Sequence, residues 1–124
     1  IKAVHEFAHA VSLNLNPTFA NNPRWLWEAV AIYEAGQFVN PSRLGYMARG
    51  DYPSIQELNS GFGTGGNKIY SVGYILTEYI VEGSGMDALR ELIMTNGDVS
   101  AILGVSIDEF QQGWHGWIEA RYIS

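Results

Sequence analysis

The chain has 124 residues, 47% hydrophobic and 16% charged, enough apolar surface for one packed core and too much for a disordered segment. A formal charge of −6, with seven basic residues scattered singly, argues against a nucleic-acid-binding face. No apolar run approaches the roughly 20 residues a membrane helix needs, and the absence of cysteine removes disulfides, thiolate metal sites and a cysteine nucleophile.

The first predicted helix spans 2–13 and opens with His5-Glu6-Phe7-Ala8-His9. Residues four apart share a helical face, so His5 and His9 can aim two imidazoles at one ion. Glu6 sits about 100° round the same turn, within reach of a metal-bound water without ligating the metal. Ala3, Val4, Phe7, Ala8 and Val11 supply an apolar background that would hold the imidazoles against a core. Pro17 ends the helix, and a polar loop covers 16–22.

Asn22-Pro23 reads as a helix start, with Asn22 as cap and Pro23 in the first helical position. The second helix then covers 24–35, with Gly36 as its terminal cap. On it Glu28 is a lone acid among Trp25, Leu26, Trp27, Ala29, Val30 and Ile32. A carboxylate in such company is costly unless paired or metal-bound, which makes Glu28 a candidate third ligand. Two histidines, a carboxylate and an open fourth position form a catalytic site for one zinc ion; a structural site is closed by four protein ligands.

Residues 37–66 are the least regular. Asn40-Pro41-Ser42 and Asp51-Tyr52-Pro53-Ser54 are turn or helix-start signals, a short helix is expected over 54–58, and 59–67 is a glycine-rich loop. Gly61 and Gly66 have phosphate-loop spacing, but Asn67 replaces the required lysine and no strand precedes them. A third helix over 68–82 is apolar on nearly every face and should be central, with Gly83 behind it. Ser84 to Asp87 resembles a capping box opening a fourth helix over 88–95, and Asn96-Gly97 is a turn. A short helix over 99–103 follows. Ser106 and Glu109 then form a capping box for a last helix with Phe110, Trp114, Trp117 and Ile118 on one stripe. With no convincing strand pair or repeat, 1–124 reads as a single all-α unit, its C-terminal bundle spanning 68–122.

Three segments resemble the gluzincin zinc metallopeptidases, the class that includes thermolysin and the M1 aminopeptidases, and within it the peptidase MA-like domains. His5 to His9 matches HExxH. Trp25-Leu26-Trp27-Glu28-Ala29-Val30-Ala31-Ile32-Tyr33 is similar to the WLxEGxAxY helix, at the M1-like spacing of eighteen residues between His9 and Glu28. Tyr70-Ser71-Val72-Gly73 resembles the YxxG helix start. Metzincins are excluded because Ser12 and Leu15 stand where that class needs Gly and a third His. Ala29 replaces the usual Gly, and the β-sheet that precedes the zinc helix in such domains is missing. The expected fold is thus the helical C-terminal part of a zincin catalytic domain, joined to an upstream domain of the same parent chain.

The resemblance implies His5, His9 and Glu28 as zinc ligands, Glu6 as general base, and a peptide or protein substrate cut by metal-activated water. It offers Tyr70 as oxyanion stabiliser, with Tyr74 one turn on as the substitute. Glu34 is turned away from the metal by its offset from Glu28, and His115 reads as structural. The compartment is not fixed by the sequence, with an extracytoplasmic or secreted setting favoured. A catalytically inactive gluzincin-like binding or scaffold domain is the competing reading, and the complete set of His5, Glu6, His9 and Glu28 argues against it.

Overall fold

The computed structural model describes residue 9 and residues 11–20, 23–59 and 68–123. Among these the chain is all-α, as expected, and no strand occurs. His5 and Glu6 lie outside the described residues, as does most of the glycine-rich loop.

Helix α1 includes His9 and residues 11–15. Its end is fixed by Asn16, whose backbone N–H donates to Ser12 O at 2.9 Å. The buried Asn16 side chain donates from Nδ2 to Ile93 O at 2.8 Å, while Oδ1 accepts from the Thr18 hydroxyl at 2.8 Å. Both ends of the amide are thereby satisfied inside the core, which removes the cost of burying it.

Helix α2 spans Arg24–Glu34, starting where expected and ending one residue earlier, with Pro23 rather than Asn22 at the cap position. Pro23 takes the cap position in an extended conformation (φ −85°, ψ 154°), and its ring has no acceptor to offer. The Trp25 N–H instead donates to Asn59 Oδ1 at 3.1 Å, a cap supplied from another helix. At the other end Gly36 adopts φ 67°, with Gly36 N–H donating to Tyr33 O and Gln37 N–H to Ile32 O at 3.0 and 3.1 Å. That paired pattern is the Schellman motif. Residues 25–32 of α2 are buried without a break, so this helix, together with the third one predicted, is central.

A 3-10 turn at Pro41–Arg43, capped by the Asn40 side chain, leads into the short helices α3 (Gly45–Ala48) and α4 (Ile55–Asn59). Helix α5 spans Ile69–Met94, where two helices separated by a gap were expected. Helical structure continues through Gly83 and Ser84, and the break falls on Gly85 at φ 90°, ψ 167°. Only glycine occupies that region without strain. Helices α2 and α5 make the principal packing of the fold. Their crossing is close because Gly73 has no side chain: a Cβ there would lie 3.0 Å from both Ala29 Cα and Ile32 Cδ1.

Helix α6 (Val99–Leu103) and helix α7 (Ile107–Ile118) close the bundle, followed by a π-helical turn at Glu119–Ile123. Phe110, Trp114 and Ile118 are buried, while Trp117 packs at the margin. The predicted capping box is present: Glu109 N–H donates to Ser106 Oγ at 3.1 Å and Ser106 N–H to Glu109 Oε1 at 2.9 Å. The bond from the Ser106 backbone, followed by that from its side chain, holds the Glu109 carboxyl below its ordinary value of 4.5. A lowered folded pKa gives stability that is full above the unfolded value and lost as pH falls through the folded one. Glu109→Gln is therefore expected to flatten the acid limb of the stability curve below about pH 4.5, as read by urea unfolding at stepped pH. An unchanged limb would show that the box contributes nothing in acid.

Candidate metal centre

Three helices converge around two of the candidate ligands. Helix α1 presents His9, α2 presents Glu28, and the first turn of α5 presents Tyr70. His9 Nε2 lies 3.0 Å from Glu28 Oε1. Glu28 is only 8% exposed, in the middle of the most continuously buried stretch of the chain. A charge so placed needs a partner.

Each of the two candidate ligands is braced by a neighbour. The His9 ring stacks on the Trp27 indole with centroids 3.9 Å apart and planes 13° from parallel. Trp27 is held in turn by an edge contact with the fully buried Phe19, centroids 5.6 Å apart. On the Glu28 side, the Tyr70 hydroxyl donates to Oε2 at 2.9 Å. Arg24, one turn before Glu28 on α2, donates from Nη2 to the Tyr70 oxygen at 3.3 Å and from Nη1 to Leu58 O at 3.2 Å. Its guanidinium also lies over the Tyr70 ring, 5.6 Å from the centroid. Burial, followed by the bond to Glu28, raises the Tyr70 pKa above its ordinary value, with Arg24 pulling the other way. The phenol is therefore a proton donor at neutral pH.

The donors present fit a zinc ion. Imidazole nitrogen and carboxylate oxygen are both ordinary zinc ligands, and two ligands about 2.0–2.1 Å from a tetrahedral ion stand roughly 3.3–3.4 Å apart. His9 and Glu28 are at nearly that separation already. Among the described residues no group of three His, Cys, Asp or Glu side chains converges. The remaining expected ligand, His5, and the expected base, Glu6, lie outside the described residues.

The other sequence candidates sit elsewhere. Tyr74 packs among Tyr33 and Phe38, with centroids 5.1 and 5.3 Å away, and its ring is committed to that aromatic cluster. Glu34 is exposed at the end of α2. His115 Nε2 lies 2.8 Å from Pro53 O and its ring rests near Tyr52, a contact that joins α7 to the segment before α4. Two residues of the site were not singled out from sequence. Arg24 could have been found from its offset of four from Glu28 on one helix, and Trp27 only from knowing that α1 crosses α2 at that point. Among the described residues no helix is long and apolar enough to cross a membrane. Comparison with known protein families, with curated proteins and with solved structures finds nothing that matches this chain.

Proposed function

We propose that this chain is the helical part of a gluzincin-type zinc metallopeptidase that hydrolyses peptide bonds, with His5, His9 and Glu28 holding one zinc ion and Glu6 as general base. The observation that carries the reading is the buried Glu28 carboxylate standing 3.0 Å from His9. Zinc, when bound, lowers the pKa of a bound water to about 7 and polarises a carbonyl.

The protein's own residues do the rest. Trp27 fixes the plane of the His9 ring, and Tyr70 fixes the rotation of the Glu28 carboxylate. Fixed ligands matter because a catalytic site must keep one position open rather than let a loose side chain close it. Glu6 takes the proton of the attacking water and returns it to the leaving amine, so that one carboxylate serves both halves of the reaction. On the helix expected from the sequence over 2–13, Glu6 would lie beside His5 and His9 without competing for the same face.

Zinc binding is the direct test. After reconstitution and removal of free metal, the chain is expected to carry one zinc per molecule, and His9→Ala or Glu28→Ala to lose it. Reconstituted wild-type protein without zinc would sink the reading. Stoichiometric zinc with no cleavage of any peptide in a mixed library would instead favour the scaffold domain.

A further inference from the structure

We propose that Arg24 is a positioning residue for the metal centre, acting through Tyr70 to set which Glu28 oxygen is turned toward His9 and the metal. The inference rests on the zinc reading and deepens it.

The argument is one of proton direction. Arginine has five N–H donors and no acceptor. The Tyr70 oxygen, 3.3 Å from Arg24 Nη2, must therefore accept from it. Tyrosine has a single hydroxyl proton, and with its oxygen receiving from Arg24 that proton points to Glu28 Oε2 at 2.9 Å. The chain of bonds thus has one sense, from guanidinium to phenol to carboxylate. Reversing it would leave a hydroxyl proton facing a cation.

The consequence falls on Glu28. Its Oε2 is occupied by the phenol, while Oε1 faces His9 at 3.0 Å. With Oε2 turned to the phenol and Oε1 to the imidazole, Glu28 is set for one-oxygen ligation, and a carboxylate able to rotate would not be. Arg24 can impose this because it is itself fixed at two further points, the Leu58 carbonyl at 3.2 Å and the face of the Tyr70 ring. Tyr70 needs such help: it is 48% exposed, and its ring would otherwise be free to turn toward solvent. Arg24 and Glu28 share a helix face one turn apart, yet the linkage given by these bonds runs through a residue of α5. The arrangement therefore also reports whether α2 and α5 are in register.

The test uses the whole chain and zinc alone, with affinity read by competition against a chromophoric chelator and the coordination geometry by the visible spectrum of the cobalt form. Arg24→Ala and Tyr70→Phe are each expected to weaken zinc by about tenfold, the lower range for partners of metal ligands. The double variant should be no weaker than either alone, because both act through one bond. Tyr70→Phe removes one hydroxyl and keeps the ring, so it tests the proposal even if Arg24→Ala unfolds. Wild-type affinity and an unchanged cobalt spectrum in Tyr70→Phe would overturn the role while leaving the zinc reading intact, as would additive losses in the double variant. Wild-type protein that takes up no zinc would overturn both together.

Discussion

Replacing Glu6 with glutamine is expected to leave zinc bound and to lower peptide hydrolysis by roughly 10²–10⁴-fold, the range for a positioned general base. Glutamine keeps the length and shape of the side chain and its hydrogen-bonding oxygen, but it cannot accept and release a proton at neutral pH. His5, His9 and Glu28 are untouched, so metal content measured beside activity separates the base from the ligands. Full activity with zinc in place would end the assignment of Glu6. Loss of zinc with activity would make Glu6 a support of the site instead.

The second large effect concerns the crossing of α2 and α5. A Cβ at position 73 would stand 3.0 Å from Ala29 Cα and from Ile32 Cδ1. The isoleucine methyl can rotate away, but Ala29 Cα is backbone and moves only if the helices part. Overpacking of this kind costs about 1–3 kcal/mol. For Gly73→Ala the better helix propensity of alanine returns about 1 kcal/mol, so the net change should be small. Valine adds two methyl groups to the clash and recovers less propensity, so Gly73→Val is expected to lose about 3 kcal/mol in urea unfolding. Parting the helices also carries Tyr70 away from Glu28, since the two residues sit on the opposed surfaces of that crossing. Zinc affinity should therefore fall with stability across the Gly, Ala, Val series. A valine variant as stable as the wild type would show that the crossing is not tight.

The parts of the molecule legible in the sequence are those decided within a few residues. The Ser106 capping box, the Gly36 terminus and the Val99–Leu103 helix depend on local chemistry, and the sequence reading of each matches the fold. Where two local signals competed, the reading went astray. Gly83 looked like a terminus and Ser84 like a cap, yet nothing in the packing stops the helix there, and the φ of 90° falls on Gly85. Long-range pairing was not legible at all. Asn16 meets Ile93 across 77 positions, and Trp25 takes its cap from Asn59 across 34. The candidate site divides the same way: Glu28 is visible as an acid out of place, whereas its bonds to Tyr70 and Arg24 exist only once α5 is laid on α2.

On the proposed zinc reading, the eight consecutive buried residues around Glu28 would tie folding to metal capture. Burying that carboxylate has a desolvation cost that Tyr70 and His9 offset in part, and a bound cation would offset more of it. Binding and folding then belong to one thermodynamic cycle, in which metal concentration acts on the fold as temperature or denaturant does. With zinc held as proposed, the out-of-place acid on α2 would make the durability of the protein a function of the metal supply around it.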